Sequence, residues 1–225
     1  MFDINPCMET MKTPVVQVVQ DDLPDGVVFA SGMVAIDTET TGLQVTKDKL
    51  CVCQVGDGAG RVWLVQFRKG YEAPNLKKLM ADTRVVKLFH FARFDIAVLQ
   101  HNLGVKVGPF FCTKIASKLL AGARGEEQAA EKPKHNLRGL VLKYCGGELD
   151  KTEQMSNWDV DVLTESQKAY AASDVLYLHT IHDVMRDELA ERDLNHMMSE
   201  ALAFLPTRVE MDIRGMPEGD IFAHK

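Results

Sequence analysis

The sequence predicts an α/β fold in which a mixed sheet is flanked by helices. Strand-like segments rich in apolar and β-branched residues dominate the first part of the chain, and helical spacing of apolar residues dominates the rest. Two of the strand segments flank the glycine-rich run 56–60, which is typical of a hairpin turn. The first half is therefore expected to begin as an antiparallel meander, with the later helices packed around the sheet.

The strands are predicted by short apolar runs bounded by turn residues. The first is rich in β-branched residues and is expected at an edge of the sheet. The predicted strands are 15–19, 33–36 with the two acidic residues that follow it, 50–55, 61–66 and 84–88.

The helices are predicted by apolar residues at helical spacing and by residues typical of helix ends. The predicted helices are 73–80, 90–104, 112–121, 136–144, 164–192 and 197–211. Pro74 favours a first turn, Gly104 favours a C-terminus, and Thr113 is expected as an N-cap. Thr164 and Gln167 form the capping-box pattern that predicts the start of one long helix.

Size and composition favour one globular domain. The chain has 225 residues, of which 46% are hydrophobic and 26% charged, which is enough to bury a sizeable core. Residues 1–13 show no periodicity and are expected to form a flexible arm before a single domain that spans 14–225. The charged stretch 122–134 also lacks periodicity and is expected to be an exposed loop.

Charge and cysteine content restrict the function. The formal net charge of −6 argues against a protein that coats long nucleic acid, but it allows a short nucleic-acid substrate held with the help of divalent cations. Five cysteines without CxxC spacing indicate a reduced, intracellular protein. Neither a signal peptide nor a membrane-spanning run is visible, so the expected location is the cytoplasm, with no membrane partner.

Two carboxylates stand at the end of the strand 33–36. Asp37 and Glu39 are two residues apart, so their side chains project from one face of the strand. Neighbouring anions favour a cation between them, and carboxylate oxygens suit Mg²⁺ or Mn²⁺. The pair alone is weak evidence, because the chain has five other acid-x-acid pairs. Its place at the end of a buried strand, where α/β sheets bind ligands, predicts a metal site.

Two further polar positions adjoin apolar segments that would anchor them in the core. Asp95 lies early in the predicted helix 90–104. Tyr170 and Asp174 are four residues apart in a predicted helix and therefore share one face. A tyrosine in such a helix is usually a packing residue, so the joint pattern, and not Tyr170 alone, favours a functional role.

The joint pattern resembles the three exonuclease motifs of the DEDDy 3′–5′ exonucleases. These motifs are Asp-x-Glu at 37–39, His-x-x-x-Phe-Asp at 90–95 and Tyr-x-x-x-Asp at 170–174, and the stretch 150–178 is similar to ribonuclease D. The resemblance implies a ribonuclease H-like fold of the DnaQ/DEDD exonuclease type. It also implies a set of catalytic residues: Asp37, Glu39, Asp95, Tyr170 and Asp174.

A narrower resemblance is to the bacterial nanoRNase C group. It is carried by the segments 90–95, 111–118, 170–179 and 220–224. This resemblance implies hydrolysis of very short RNA, dinucleotides above all, and assembly as an octameric ring. The helix and tail from about 195 to 225 are then expected to take part in oligomer contacts.

Phosphodiester hydrolysis requires an activated water, stabilisation of the transition-state charge and a leaving oxygen held in line. Two Mg²⁺ or Mn²⁺ ions about 3.5–4 Å apart supply all three. In that scheme Asp37 bridges both ions, while Glu39 and Asp174 hold the ion that carries the attacking water. Asp95 supports the second ion through its waters, and Tyr170 orients the nucleophile.

Other residues are candidates for substrate binding. As the resemblance suggests, Leu43 is expected to wedge between the two bases, with Thr40 beside it, although a core leucine is an equal alternative. His90, Phe91 and Arg93 lie at a strand-to-helix turn, where they would stack on a base or hold a phosphate. A core role is the alternative for Phe91.

A loose basic set is a weaker candidate for phosphate contacts, because such residues more often form a solvated face. It consists of Lys114, Lys118, Lys134, His135 and Arg138. Trp158 is expected in the core.

The leading prediction is a metal-dependent exoribonuclease that splits dinucleotides into mononucleotides. The nearest alternative has the same chemistry on longer RNA or on DNA 3′ ends, and an open basic channel would favour it over a closed site with a 5′-phosphate pocket. An inactive nucleic-acid-binding module is less favoured, because all five motif residues are present.

Overall fold

The computed structural model describes residues 13–126, 132–150, 152–216, 219 and 221–222. Most of the predicted N-terminal arm, the middle of the predicted loop 122–134 and most of the chain after 216 lie outside the described residues. The arm, the loop and the extent of the domain therefore stay predictions.

A six-stranded mixed sheet forms the centre of the fold. Its strands are β1 (Val15–Gln20), β2 (Met33–Thr40), β3 (Leu50–Gly56), β4 (Arg61–Gln66), β5 (Val86–Phe89) and β6 (Phe110–Cys112). The strand order is β1-β4-β3-β2-β5-β6. Strands β2, β3 and β4 form an antiparallel meander, to which β1, β5 and β6 add in parallel. The prediction of a mixed sheet flanked by helices is confirmed, with β1 at an edge.

Seven helices are described, and they cover both faces of the sheet. They are α1 (Pro74–Ala81), α2 (Ala92–Leu103), α3 (Thr113–Ala123), α4 (Leu137–Cys145), α5 (Glu165–Leu176), α6 (Leu178–Glu191) and α7 (Asn195–Ile213). Among the described residues, no helix combines the length and the apolar character needed to cross a lipid bilayer.

Alternation along β2 decides which face of the sheet carries the acids. Val34 and Ile36 enter the core that the sheet shares with α1 and α2, whereas Ala35 enters the core that it shares with α3 to α6. Asp37 and Glu39 continue the row of Ala35. They therefore lie on the face of the sheet that α5 covers.

The structure differs from the predicted elements at two places. No sequence signal marks β6, which has three residues and depends on its parallel pairing with β5. The predicted single helix 164–192 is two helices, because the backbone N–H of Tyr177 bonds to the carbonyl of Val175, two residues earlier. The helical hydrogen-bond pattern is interrupted there, and α6 starts at Leu178.

The prediction that Thr113 is the N-cap of α3 is wrong, because Cys112 holds that position. The hydroxyl of Thr113 instead donates to the Phe89 carbonyl at 3.3 Å and lies 2.9 Å from Nδ1 of His90. This threonine therefore ties the start of α3 to the turn between β5 and α2.

Candidate active site

Three carboxylates meet where β2 faces α5. Ligand oxygens of Asp37, Glu39 and Asp174 all lie within 4.8 Å of one another. Asp37 is paired in register with Gln54 of β3, and the register of β2 shifts between Glu39 and Thr40. A strand irregularity of this kind bends the chain, and here it separates the acids from the exposed loop that follows.

Helix α5 is placed by a buried apolar face and a complete capping box. Both hydrogen bonds of the box are present, from Gln167 N to Thr164 Oγ1 at 3.1 Å and from Thr164 N to Gln167 Oε1 at 3.0 Å. Ala171 and Val175 pack into the core, and the small alanine allows the helix to approach the sheet. Asp174 and Tyr170 then extend from the helix into the cleft that holds the two acids of β2.

Tyr170 has a phenol that remains protonated. Burial is the largest cause that raises its pKa, and the charges of Asp174 and Glu39 raise it further. Its ring lies 5.9 Å from that of Trp158, which is buried as predicted. The phenol can therefore act as a hydrogen-bond donor inside the cleft.

Asp95 lies deeper than the other three acids. It is buried in the first turn of α2, and its Oδ1 accepts a 2.7 Å hydrogen bond from the Thr38 hydroxyl. Its charge is the second largest cause of the raised pKa of Asp37, after burial. The structure thus brings all four predicted acids together, with Asp95 behind the three that form the compact ligand group.

The acids shift one another's protonation. Burial is the largest cause of each rise: the pKa of Asp37 is well above its usual range, that of Glu39 is about 9, and that of Asp95 is about 7. For Asp37 the charges of Asp95, Asp174 and Glu39 add to the effect. Such a cluster stays ionised at neutral pH only with positive charge close to it.

The donor set fits a divalent cation. Three carboxylates supply hard oxygen ligands, which Mg²⁺ and Mn²⁺ prefer, and they offer no sulfur or imidazole group that would favour zinc. Mg²⁺ keeps several of its waters, so that few protein ligands are sufficient. The three carboxylates thus support the predicted use of a divalent cation, while the number and identity of the ions stay predictions.

The acids open into a cleft of about 450 Å³ with apolar side chains at its rim. Leu43, Phe91 and Met155 line it, and they are 83%, 41% and 93% exposed. The exposure rules out the alternative core roles of Leu43 and Phe91. Three flat or flexible apolar groups beside an acidic site suit the faces of nucleic-acid bases.

The loop that carries Leu43 is braced from within. The carboxylate of Asp48 accepts hydrogen bonds from the Gln44 backbone at 2.7 Å and from the Thr41 hydroxyl at 3.3 Å. A Cβ at Gly42 would lie 2.6 Å from Asp48 Oδ2, so a larger residue here would push the Asp48 carboxylate out of these hydrogen bonds. Thr40 lines the same part of the cleft, and its hydroxyl donates to the Gly42 carbonyl at 2.5 Å.

Phe91 stands at the turn between β5 and α2 in a left-handed backbone conformation, with φ of 67° and ψ of 44°. The Nζ of Lys114 lies 3.9 Å from the centre of its ring, a cation–π distance. Lys114 and His90 also line the cleft. Of the predicted basic set, Lys114 is the member that the structure places there among the described residues.

Arg93 is not placed where the sequence suggested. Its guanidinium donates to both oxygens of Asp212 in α7, at 2.6 and 2.8 Å, and Arg208 shares the same carboxylate at 2.6 Å. Helical geometry explains the difference, because Arg93 points away from the face of α2 that carries Asp95. It fastens α2 to α7, and a phosphate-binding role is not proposed for it.

Several residues of the site, including Thr38 and Met155, were missed by the sequence reasoning, and Gln54 is the one that contacts two of the acids. Gln54 is buried in β3, and its Nε2 lies 3.2 Å from Asp37 Oδ2 and 3.3 Å from Glu39 Oε1. A signal was present, since Gln54 is a polar residue within the otherwise apolar strand LCVCQVG.

The sequence matches a known family over most of its length. Residues 27–190 match the 3′–5′ exonuclease family, a range that includes the four acids and Tyr170. The chain belongs to the 3′–5′ exonuclease family. The predicted resemblance to the DEDDy exonucleases, with ribonuclease D and nanoRNase C as its narrower forms, is confirmed.

Solved structures of exonucleases share this fold. NrnC from Brucella melitensis bound to pGG is similar with a TM-score of 0.86 and 39% sequence identity, over 95% of this chain and 100% of that one. A structure of Brucella melitensis NrnC with bound Mg²⁺ is similar with a TM-score of 0.84 and 39% identity, over 94% and 100% of the two chains.

Curated relatives include ribonuclease D. The protein from Bartonella henselae is 28% identical over 190 residues, which are 84% of this chain and 44% of that relative. The chain thus spans less than half of the length of the curated ribonuclease D proteins that it matches.

Proposed function

We propose that this chain is a metal-dependent 3′–5′ exoribonuclease that hydrolyses very short RNA, dinucleotides above all, to nucleoside 5′-monophosphates. The observation that carries the proposal is the meeting of Asp37, Glu39 and Asp174 within 4.8 Å, with Tyr170 in the same cleft. Carboxylates this close need bound cations to remain ionised, and the cleft beside them offers space for the 3′ end of an RNA.

The acids differ in their proposed tasks. Asp37, Glu39 and Asp174 hold two divalent cations, Mg²⁺ or Mn²⁺, and Asp95 supports them from its deeper position beside Thr38. When bound, a pair of such ions activates a water and neutralises the charge that develops on the phosphate.

Tyr170 positions the attacking water. Its phenol is protonated, because burial and the neighbouring acids raise its pKa, and it extends from the same helix face as Asp174. It can therefore donate a hydrogen bond that orients the water.

Three features support a short substrate. Among the described residues that line the cleft, Lys114 is the single lysine or arginine, which suits one phosphate better than a long backbone. Leu43, Phe91 and Met155 offer apolar contacts for very few bases. The likeness to NrnC bound to pGG, a name that denotes two nucleotides, extends over nearly the whole of both chains.

A second candidate function is the trimming of longer RNA, or of DNA, from the 3′ end. The relatives named ribonuclease D favour it, and the one from Bartonella henselae matches 84% of this chain. The same acids and Tyr170 would carry out the same reaction. The two candidates differ only in what lies beyond the first two nucleotides.

Cleavage of a two-nucleotide and a seven-nucleotide RNA, with Mg²⁺, with Mn²⁺ and with a chelator, tests the proposal. We expect a higher kcat/KM on the shorter RNA and no hydrolysis with the chelator. The control is Asp174→Asn, which keeps the shape of the side chain and should be as inactive as chelated wild type. Faster cleavage of the longer RNA supports the second candidate, and an active Asp174→Asn refutes the site itself.

The proposed assembly is a homo-octameric ring, with the C-terminal helix and tail in its contacts. Exposed apolar side chains on this part of the chain support a contact role: Met197, Met216, Ile221 and Phe222. The ring of Phe222 lies 5.5 Å from that of Phe204 in α7, so that this aromatic side chain packs beside the helix. Native mass measurement is decisive, because a stable monomer at micromolar concentration contradicts the ring.

A further inference from the structure

A buried glutamine lies directly across the sheet from the first acid. Gln54 of β3 is the register partner of Asp37, and its side chain is fully buried. Its Nε2 donates to Asp37 Oδ2 at 3.2 Å and to Glu39 Oε1 at 3.3 Å. A single neutral amide thus contacts two carboxylates of the proposed metal site.

The two ends of this amide differ, because the amino end contacts two acids and the carbonyl end contacts no donor among the described residues. The Oε1 of Gln54 is buried and has no hydrogen-bond partner in the described part of the chain. Buried amide oxygens are normally paired, because their removal from water is unfavourable. Gln66, a buried glutamine of the neighbouring strand, follows that rule: its Oε1 accepts from Gln20 at 3.1 Å, and its Nε2 donates to the Val160 carbonyl at 2.7 Å.

An amide is suited to this place for chemical reasons. Ionised carboxylates only accept hydrogen bonds, so the N–H groups of Gln54 must face them. A lysine or arginine would supply the same donors, but its charge would compete with the cations. An apolar residue would leave the two carboxylates free to rotate.

We propose that Gln54 is a positioning residue of the metal site: it holds one oxygen each of Asp37 and Glu39, so that their other oxygens face Asp174 and the cations. This inference rests on the proposed function and deepens it. Gln54 does not ligate the ions in this scheme, and it acts only through the two acids that it orients.

The test compares two buried glutamines of one sheet. Gln54→Met removes both hydrogen bonds and keeps an unbranched side chain of similar length. Gln66→Met does the same in β4, where the hydrogen bonds of the glutamine go to Gln20 and Val160 and not to the acids. Calorimetry with Mn²⁺ on metal-free protein measures affinity without reference to turnover. We expect the dissociation constant to rise about 10- to 100-fold for Gln54→Met, as is usual for residues that orient metal ligands, and to stay unchanged for Gln66→Met. Excess Mn²⁺ should restore hydrolysis by Gln54→Met.

Several outcomes would overturn the inference. One is a Gln54→Met protein that binds Mn²⁺ as tightly as wild type. If this variant does not fold, a crystal structure of the wild type with Mn²⁺ decides, because Gln54 must donate to both acids there and must not contact the ion. A wild type that binds no Mn²⁺ refutes the proposed function and this inference together, whereas normal wild-type binding with an unaffected Gln54→Met refutes the inference alone.

Discussion

Thr38 joins the central strand to the helix that carries Asp95. The Thr38 hydroxyl donates a 2.7 Å hydrogen bond to Asp95 Oδ1, and both residues are buried although they are 57 positions apart in the chain. The hydrogen bond is the second largest influence on the pKa of Asp95, after burial, and it acts in the opposite direction. Thr38 therefore favours the ionised form of the deepest acid.

Thr38→Val should weaken the fold and alter the pH dependence of hydrolysis. The valine keeps the branched shape but removes the donor, so we expect the free energy of unfolding to fall by about 1–3 kcal/mol. The pKa of Asp95 should rise, which moves the acid limb of the pH–rate profile to higher pH. Thr38→Ser keeps the hydroxyl and is the control. An acid limb that does not move in Thr38→Val contradicts this role.

The metal-free protein should become less stable as pH rises. Folding raises the pKa of Glu39 from 4.5 to about 9 and that of Asp95 from 3.8 to about 7, so that the folded state binds more protons than the unfolded state between these values. The stabilisation that these two carboxyl groups provide below their unfolded-state pKa values is therefore lost as the pH rises through their folded-state pKa values. Melting in chelator at about pH 5.5 and about pH 8 measures the effect. Saturating Mn²⁺ should weaken it, and a chelated protein that melts higher at the upper pH would refute it.

Tyr170→Phe should slow turnover without loss of metal affinity. The substitution removes only the phenol oxygen, while the ring keeps its contact with Trp158 at 5.9 Å. We expect a large fall in kcat with little change in the dissociation constant for Mn²⁺, measured by calorimetry. An unchanged kcat would show that Tyr170 is a packing residue.

Arg93→Met should reduce stability and leave substrate affinity unchanged. Arg93 donates twice to Asp212 at a largely buried contact between α2 and α7, so its loss should lower the free energy of unfolding by about 2 kcal/mol. Arg84→Met is the control, because the pair of Arg84 with Asp82 is exposed and such pairs contribute little to stability. A raised KM for the shorter RNA would instead indicate that Arg93 contacts the substrate.

Features with local causes were predictable from the sequence. The hairpin between β3 and β4, the acids at the end of β2, the glycine end of α2 and the capping box of α5 each depend on a few neighbouring residues. The spacing of Tyr170 and Asp174 likewise fixed their common face. These signals were sufficient for five of the six strands and for most helices, whereas the five motif residues were recognised jointly, through the resemblance to the DEDDy exonucleases.

Features that depend on distant partners were not predictable in this way. Strand β6 has three residues and exists because β5 is available to pair with it. The partner of Arg93 lies 119 residues away, so nothing near Arg93 in the sequence reveals that it points to α7. Gln54 acquires its contacts only through the register of β3 against β2.

The left-handed backbone at Phe91 bears on how the enzyme captures its substrate. A large side chain adopts this conformation at an energetic disadvantage, and it persists only where the surroundings enforce it. Here the ends of β5 and α2 fix the main chain, and the ring stands at the cleft with Lys114 over its face before any RNA arrives. A base that stacks on this ring must displace Lys114 or use the other face, but the main chain that carries the ring is already fixed, so that little backbone entropy is lost on association.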